Sequence, residues 1–273
     1  MDIIITGHKG LIGSFLKRRL EKEGHKIIFG IDLREGKNIY EMKNLKSKAD
    51  IVIHAAAHCK INQAIENPEI VYENDVYGTF CVLEFCRKNN IKKIVFFSSS
   101  RVLNKEKNPY TAAKIFGEEL CRAYKDCYGI NYLIIRPSTV YGTFWDQTKR
   151  LMHNFIVNAL EDKDLEIYGN PKIKTLDFTY VDDFVDAVIL AMKKEWNKEY
   201  NISGGEEFLV YDLAKFIIEE TNSKSKIVVK KEEIAQPQKV KLDISAIKNI
   251  GYFPKVNLRE GVKKCIDFYK KRI

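Results

Sequence analysis

The stretch that decides the fold is Thr6-Gly7-His8-Lys9-Gly10-Leu11-Ile12-Gly13, which directly follows the apolar run Asp2–Thr6 and opens an amphipathic segment. At this spacing Gly7 allows a sharp turn, Gly10 lets an anion approach backbone N–H groups, and Gly13 lets a helix pack closely on a strand. The stretch therefore predicts a pyrophosphate-binding loop at the N-terminus of a helix. A generic strand–helix turn is the alternative interpretation.

Outward from this loop, short apolar runs alternate with longer amphipathic stretches. The predicted strands are Asp2–Thr6, Lys26–Ile31, Ile51–Ala55, Lys93–Ser98 and Tyr132–Arg136, and the predicted helices are Ile12–Glu23, Val71–Asn89 and Tyr110–Tyr128. Apolar strands joined by helical crossovers indicate a parallel sheet that is covered on both faces. The expected fold class is therefore α/β, with a Rossmann-like doubly wound parallel sheet.

The pattern loosens after Gly142. The elements predicted there are the helices Phe155–Leu160, Tyr180–Lys194, Val210–Thr221 and Leu258–Lys271 and a short strand at Tyr200–Ile202. We expect a dinucleotide-binding lobe in residues 1–142, to which residues 177–203 return. A smaller mixed α/β lobe in residues 143–273 is expected to bind the substrate.

The composition excludes several classes of protein. The 273 residues are 45% hydrophobic, unlike disordered or collagen-like chains. No apolar run approaches the roughly 20 residues that span a bilayer. Residues Met1–Gly7 lack the basic start and long apolar core of a signal peptide. We therefore expect a cytoplasmic protein with no membrane contact, whose six cysteines, none in Cys-x-x-Cys spacing, are reduced and bind no metal.

The formal net charge of +9 is compatible with nucleic acid, anionic lipid or a phosphorylated small molecule as a partner. Lysines outnumber arginines 36 to 10 and are spread along the chain. Because readout of phosphates and bases favours clustered arginines, we expect no nucleic-acid partner.

Asp32 ends the second predicted strand, about 20 residues after the glycine loop. A carboxylate at this point can accept hydrogen bonds from both ribose hydroxyls of NAD and repels a 2′-phosphate. Arg34, two residues further on, could instead pair with the 2′-phosphate of NADP. NAD is thus the expected cofactor and NADP the alternative; a cap or turn is the purely structural interpretation of Asp32.

Three tyrosine–lysine pairs have the four-residue spacing that brings a phenol and an ammonium group to one helix face. They are Tyr110/Lys114, Tyr168/Lys172 and Tyr211/Lys215. The second pair encloses Gly169-Asn170-Pro171, which excludes a helix, and the third is predicted to lie on a solvated face. Only Tyr110 follows a strand that ends in hydroxyl groups, at Ser98-Ser99-Ser100. The first pair is therefore the candidate for chemistry.

These motifs form part of an ordered set that covers nearly the whole chain. The set comprises Thr6-Gly-x-x-Gly-x-x-Gly13, Asp32, Asp50-x-Val52-x-His54-x-Ala56-Ala57, Asn74-x-x-x-Gly78-Thr79, Ser98–Ser100, Tyr110-x-x-x-Lys114, Arg136-Pro137-x-x-Val140-Tyr141-Gly142 and Asp177-Phe178-x-x-Val181-x-Asp183. In this the sequence resembles the extended short-chain dehydrogenases/reductases, and among them the UDP-glucose 4-epimerase-like members of the NAD-dependent nucleotide-sugar epimerase/dehydratase family.

The resemblance implies roles for three catalytic residues. Tyr110 would be the general base, Lys114 would lower its pKa and hold the nicotinamide ribose, and Ser99 would orient the sugar oxygen. Physical chemistry agrees, because a phenol with a pKa near 10 is a poor base at neutral pH unless an ammonium group and the nicotinamide cation favour the phenolate.

The resemblance also implies binding residues. Those for NAD are Gly7, Gly10, Leu11, Ile12, Gly13, Asp32, Leu33, Asn38, Ile39, His54, Ala55, Ala56, Asn74, Ser98, Tyr110, Lys114, Pro137 and Val140. Those for a nucleotide-sugar substrate are Ser100, Thr139 and Lys174. Asn74 could alternatively cap a helix. The apolar stripes of the helices Val76–Asn89 and Tyr110–Tyr128 correspond to a dimer interface in the resembled family, so a homodimer is expected.

The two residues that follow Ser99 indicate which reaction the resemblance implies. Dehydratases of the resembled family typically carry an Asp-Glu or Ser-Glu pair there, whereas this chain has Ser100 and Arg101. The resemblance therefore implies an epimerase, which oxidises the sugar at C4 and returns hydride to the opposite face. A 4-keto-sugar reductase or dehydrogenase would use the same residues and is the main alternative; a 4,6-dehydratase and a non-catalytic dinucleotide-binding protein are the others.

The sequence departs from the family pattern on the substrate side. Leu176 stands where an arginine normally holds the diphosphate, and only Lys239 lies near the position of a second arginine. A lysine there would offer a point charge in place of a planar fork. The span between Ser100 and Tyr110 is also short, so one wall of the sugar pocket is expected to be rebuilt.

Overall fold

The computed structural model describes all 273 residues. Its strands are β1 (Asp2–Thr6), β2 (Lys26–Ile31), β3 (Ile51–His54), β4 (Lys93–Phe97), β5 (Asn131–Pro137), β6 (Thr139–Tyr141), β7 (Leu165–Tyr168), β8 (Thr175–Tyr180), β9 (Lys198–Ile202), β10 (Glu207–Leu209) and β11 (Ile227–Lys230). Its α-helices are α1 (Leu11–Lys22), α2 (Ile61–Glu66), α3 (Pro68–Val71), α4 (Gly78–Lys88), α5 (Pro109–Tyr128), α6 (Leu151–Leu160), α7 (Val181–Met192), α8 (Val210–Thr221), α9 (Ser245–Asn249) and α10 (Leu258–Lys270). No helix is both long and apolar enough to cross a membrane.

Six strands form one parallel sheet in the order β2-β1-β3-β4-β5-β9. The chain moves outward from β1 to β2 and then crosses to β3 on the other side of β1. In sheets of this kind the carboxyl ends of the two strands at such a reversal enclose a crevice that binds ligands. The expected α/β class with a Rossmann-like parallel sheet is confirmed.

The two faces of the sheet are both buried. On β1, Ile3 and Ile5 lie in the core beneath α1 and α7, whereas Ile4 lies in the core beneath α4 and α5. All three side chains are fully buried. Successive side chains of a strand point to opposite faces of the sheet, and helices cover both faces. The strands are therefore apolar at successive positions rather than at every second one.

A smaller lobe is built on two short sheets. In one, β8 pairs in parallel with β6 and antiparallel with β10; in the other, β11 pairs in parallel with β7. The helices α6, α8 and α10 cover these strands and share a second core that contains Phe155, Ile217 and Ile266. The lobes are interleaved, since β6 lies in the small sheet although it falls within residues 1–142, while α7 and β9 return to the large sheet.

The connections between the two sheets are short. Ser138 alone separates β5 in the large sheet from β6 in the small one. It donates its backbone N–H to Ile202 and shares a hydrogen bond with the Thr179 hydroxyl. Strand β8 runs directly into α7, and residues 203–206 connect β9 to β10.

One predicted helix differs from its prediction. The stretch Val71–Asn89 is divided into α3, a π-helical turn at Tyr72–Tyr77, and α4. The wider turn places Asp75 in the interior, where its Oδ1 accepts a hydrogen bond from the backbone of His58 at 2.7 Å. Periodicity alone does not reveal such a turn, because one inserted residue barely changes the apolar pattern.

The core beneath α7 supports the end of β4, from which the candidate hydroxyl groups emerge. Phe184 is fully buried, with its ring centroid 5.7 Å from that of Phe97. We expect Phe184→Ala to lower the free energy of unfolding by about 3–5 kcal/mol, because it leaves a cavity in a packed core. Urea unfolding followed by circular dichroism measures this.

The matched control is Phe253→Ala, since Phe253 is 67% exposed. Its effect should stay within about 0.5 kcal/mol. Equal losses in the two variants would contradict the assignment of Phe184 to the core.

Candidate active site

A cleft of about 470 Å³ runs along the carboxyl ends of β1, β3, β4 and β5. The glycine loop forms one end of it, and the strand end at Ser98 and Ser99 forms its middle. Tyr110 and Lys114 reach it from α5. The cleft therefore brings together the two motifs that the sequence marks for cofactor binding and for chemistry.

The glycine loop makes the floor of the cleft. Gly7 has φ +71° and donates its N–H to Ile31 at 2.7 Å. A Cβ on Gly7 would lie 2.6 Å from the backbone nitrogen of Ala56, and one on Gly13 would overlap the carbonyl of Gly7. Helix α1 begins with no side chain capping its first turn. Its free backbone N–H groups and its dipole are therefore available to an anionic ligand.

Asp32 lies at the end of β2 and lines the cleft. Its Oδ2 accepts from the backbone N–H of Lys9 at 2.8 Å, and its Oδ1 accepts from that of Arg34 at 3.0 Å. The carboxylate is thus fixed in direction and keeps lone pairs for hydroxyl donors. The Arg34 guanidinium donates to the Lys9 carbonyl and also lines the cleft.

Helix α5 positions Tyr110 and Lys114. Pro109 occupies its first position, and the Asn108 side chain accepts from the backbone of Thr111 at 3.0 Å, so the helix start is fixed by a capping box. The Lys114 ammonium nitrogen lies 5.8 Å from the centroid of the Tyr110 ring and donates to the Phe97 carbonyl at 3.1 Å. The helical spacing thus places the cation next to the phenol.

The phenol of Tyr110 is buried, and its charge state depends on its neighbours. Burial raises the pKa of Tyr110 well above its ordinary value, while the Ser99 hydroxyl and the charge of Arg101 lower it. Added positive charge in the cleft favours the phenolate further. The Tyr110 phenol can therefore act as a base only when positively charged groups surround it in the cleft.

A buried ionic network anchors the strand end that carries the hydroxyl groups. The Ser98 hydroxyl donates to Glu118 at 2.6 Å, and the Arg136 guanidinium also donates to Glu118, at 2.7 Å from its Nε. Burial alone would raise the pKa of Glu118, but Arg136 and Ser98 together lower it. Ser98 lines the cleft, yet its hydroxyl is engaged in this anchor.

Most residues expected at the site line the cleft. They are Gly7, Gly10, Leu11, Ile12, Gly13, Asp32, Leu33, Ile39, Ala55, Ala56, Asn74, Ser98, Ser99, Tyr110, Lys114, Pro137, Thr139 and Val140. Asn74 lies in the π-helical turn and donates to the Ile70 carbonyl at 2.8 Å, so it does not cap a helix.

The structure does not bring Asn38, His54, Ser100 or Lys174 to the cleft. Asn38 caps a 3₁₀ turn, and its side chain accepts from the backbone N–H of Tyr40. Ser100 is buried at the start of the 3₁₀ turn that follows β4. Lys174 is buried in an ion pair with Glu233 at 3.2 Å. The contacts of Asn38 and Lys174 are ones that a motif comparison cannot detect.

His54 is enclosed beneath the cleft. Its Nδ1 shares a hydrogen bond with the Thr6 hydroxyl at 2.8 Å, and its Nε2 shares one with the Thr79 hydroxyl at 3.1 Å. Burial, with a smaller contribution from Lys114, lowers the pKa of His54 to about 3. The side chain is therefore a neutral link between β1, β3 and α4.

The cleft also contains polar residues to which the sequence analysis assigns no binding or catalytic role. They are Lys37, His58, Cys59, Arg101, Ser138, Asp146, Thr148 and Arg150. Asp146 accepts from the Arg150 Nε at 2.7 Å and from the Thr148 backbone at 3.0 Å. These three lie between β6 and α6, where the sequence has no periodic signal. From the sequence alone, Arg101 is distinguished only because it replaces an acidic residue of the dehydratases in the resembled family.

A family model places this fold and site among known proteins. Residues 3–203 match the model of the NAD dependent epimerase/dehydratase family. The chain belongs to this family. The match takes in the glycine loop, both candidate catalytic residues on α5 and the strand that returns to the large sheet.

Individual relatives agree with this assignment. A Methanocaldococcus jannaschii protein that carries the provisional name UDP-glucose 4-epimerase is 31% identical, with 98% of each chain covered. The crystal structure of UDP-glucose 4-epimerase with UDP-glucose from Thermotoga maritima is 26% identical, with a TM-score of 0.92 and 100% and 99% of the two chains covered. That of UDP-glucuronic acid 4-epimerase from Bacillus cereus with UDP-glucuronic acid and NAD is 25% identical, with a TM-score of 0.91 and full coverage of both chains.

NAD is the cofactor of this family, and the cleft of the present chain fits it. The uncapped N-terminus of α1 suits a pyrophosphate, which can approach the backbone at Gly10 because no side chain stands there. The Asp32 carboxylate is aimed into the cleft and suits ribose hydroxyls. Both features are independent of the family match.

Asp32 offers a direct test of the cofactor site. We expect Asp32→Asn to weaken NAD binding about tenfold, because a charge-assisted acceptor is replaced by an amide that can accept at one atom only. The affinity ratio of NADP to NAD should rise, since the repulsion of a 2′-phosphate is removed. Titration of the cofactor-free protein with both dinucleotides measures the two effects.

Asp50→Asn is the control for this experiment. The Asp50 carboxylate accepts from the Asp2 backbone at 2.7 Å at the opposite end of the sheet. NAD affinity should be unchanged in this variant. Unchanged affinity in Asp32→Asn as well would contradict the proposed ribose contact.

His54 should make the stability depend on pH. The folded protein excludes a proton from His54 down to a pKa of about 3, whereas the unfolded chain takes one up near pH 6.5. The free energy of unfolding is therefore fully retained above that pH and falls as the pH drops toward 3, by roughly 1 kcal/mol per pH unit from this group. Urea unfolding of the wild type and of His54→Asn from pH 4 to pH 7.5 measures the difference. Parallel pH profiles would show that His54 is not responsible.

Proposed function

We propose that the protein is an NAD-dependent epimerase of a nucleotide-activated sugar, which acts by transient oxidation at C4 with Tyr110 as the base. The observation that carries this proposal is the position of Ser99, Tyr110 and Lys114 in the same cleft as the glycine loop and Asp32. The names of the relatives support it, since they include a UDP-glucose 4-epimerase and a UDP-glucuronic acid 4-epimerase.

The step that the chain's own residues carry out is a proton transfer. Tyr110 takes the proton of the sugar C4 hydroxyl as the carbon is oxidised and returns it when the carbon is reduced on the other face. When bound, NAD supplies the acceptor for the C4 hydride, the return of that hydride, and a positive charge beside Tyr110. The charge of Arg101 opposes the burial that raises the pKa of Tyr110, and the Lys114 ammonium, 5.8 Å from the ring centroid, is a further positive charge that favours the phenolate.

Ser99 positions the reacting oxygen. Its hydroxyl is buried at the start of the 3₁₀ turn that follows β4 and faces the Tyr110 phenol. A hydroxyl can both donate and accept, so it can bond to the sugar oxygen in its alcohol and its ketone form. A site that binds both forms suits a reaction in which the ketone must not escape.

We also propose a homodimer in which α4 and α5 face their counterparts. Phe80 on α4 and Phe116 on α5 are exposed apolar side chains on neighbouring helices, which the same helices of a second copy could cover. Leu83 is fully buried and serves the core instead. The apolar surface that could be covered by a partner is therefore narrower than the apolar stripe of the sequence.

The Tyr110 assignment predicts the outcome of one substitution. Tyr110→Phe removes the proton acceptor and keeps the ring, so kcat for C4 epimerisation of UDP-glucose and UDP-glucuronate should fall about 10²–10⁴-fold. Binding of NAD should change little. Activity is followed by chromatography of the two epimers, and binding by titration.

Tyr211→Phe is a matched control, because Tyr211 and Lys215 have the same spacing on α8, with the Lys215 nitrogen 5.5 Å from the ring centroid. It should leave kcat unchanged, since this pair lies outside the cleft. A wild-type protein that accumulates an oxidised or reduced sugar and never its epimer would identify a dehydrogenase or reductase and refute the proposal.

A further inference from the structure

Arg101 lies next to the residues proposed to act on the sugar. It belongs to the 3₁₀ turn Ser100–Leu103 and donates its backbone N–H to the Ser99 hydroxyl oxygen at 3.2 Å. Its side chain lines the cleft together with Ser99 and Tyr110. The guanidinium is therefore at the sugar end of the cleft, away from Asp32 and the glycine loop.

The Arg101 guanidinium has no partner in the protein. Its Nη1 is buried and makes no hydrogen bond. Arg136, by contrast, is paired with Glu118, and the second arginine at the substrate end, Arg150, is paired with Asp146 at 2.7 Å. A buried donor on a charged group is costly unless a ligand satisfies it.

The acidic residues nearest to Arg101 are not available to it. Besides the Tyr110 phenol, the acidic groups whose charges act on Arg101 are Glu233 and Glu106. Glu233 is held by Lys174 at 3.2 Å and by the Asn62 side chain at 2.9 Å. Glu106 is exposed to solvent. The sugar end of the cleft thus carries a positive charge that no carboxylate of the chain offsets by direct contact.

The position of this charge limits what it can bind. A guanidinium fork matches a carboxylate or a phosphate. Ser99 and Tyr110 address C4 of the sugar, and the neighbouring carbon C5 carries the exocyclic C6 group. The diphosphate is attached at C1, across the ring from C4. In a sugar whose ring hydroxyls are unsubstituted, C3 carries only a neutral hydroxyl, so an anion beside the reacting carbon is a carboxylate at C6.

We propose that Arg101 binds the C6 carboxylate of a nucleotide-activated uronic acid, which makes a hexuronate the preferred substrate class. This inference rests on the proposed function, because it takes the contact of Ser99 and Tyr110 with C4 from that mechanism. Arg101 is then the residue that discriminates between a carboxylate and the neutral hydroxymethyl group of a hexose.

The test is calorimetric titration of the NAD-loaded protein with UDP, UDP-glucose and UDP-glucuronate. The wild type should bind UDP-glucuronate at least tenfold more tightly than UDP-glucose. Arg101→Met keeps the length and apolar stem but removes the charge, so it should weaken UDP-glucuronate binding about 10–100-fold and UDP-glucose binding less than about threefold. Arg101→Lys should restore part of the preference, because it keeps the charge without the fork.

The outcomes separate the possible sources of anion binding. Equal weakening of all three ligands in Arg101→Met would place the contact at the diphosphate and overturn the inference, and so would unchanged binding of all three. Arg259→Met, at an exposed position of α10, is the control for loss of an arginine and should alter no affinity.

The same samples distinguish this inference from the proposed function. Suppose that the protein epimerises UDP-glucose but shows no preference for UDP-glucuronate, with or without Arg101. The proposed function would then stand, and the inference about Arg101 would be wrong. Suppose instead that the protein prefers UDP-glucuronate in an Arg101-dependent way but never yields the C4 epimer. The carboxylate contact would then stand, and the epimerase assignment would be wrong. Circular dichroism of Arg101→Met confirms that the variant is folded.

Discussion

The close approach of three backbone segments is the constraint on which the rest of the site depends. At Gly7 the chain leaves β1 against Ala56 at the end of β3, and at Gly13 the first turn of α1 rests on the Gly7 carbonyl. A side chain at either position would push the helix away from the sheet. The N-terminus of α1, the switch in strand order and the end of β3 coincide only because these contacts are possible.

A second constraint acts at the end of β4. Glu118 is buried with Arg136 and the Ser98 hydroxyl, and Arg122 and Glu199 extend the network toward β9. Breaking one partner of such a buried network leaves an uncompensated charge, which is far more costly than the net contribution of the pair. The network thus fixes the strand end relative to α5, and this sets the relation between Ser99 and Tyr110.

The sequence predicts best what depends on backbone geometry. The glycine spacing, the alternation of strands and helices and the position of Tyr110 after a hydroxyl-bearing strand all follow from local rules, and the structure has these elements within a few residues of their expected limits. Where side chains point is decided by tertiary contacts: His54 stands at a motif position and Lys174 lies near one, but their side chains turn inward to Thr6 and Glu233. The sequence does not predict a role for Arg150, because this residue lies in a segment whose apolar residues have no helical or strand periodicity.

The short connections between the two sheets have a mechanical consequence. One residue, Ser138, joins β5 to β6, no residue separates β8 from α7, and residues 203–206 make the third link. Residues 241–257 also cross between the lobes, since Leu242, Ile247 and Tyr252 pack in the core of the large sheet. Rotation of one lobe against the other is absorbed by the torsion angles of such links. Because both lobes line the cleft, a rotation at these few positions would change its width.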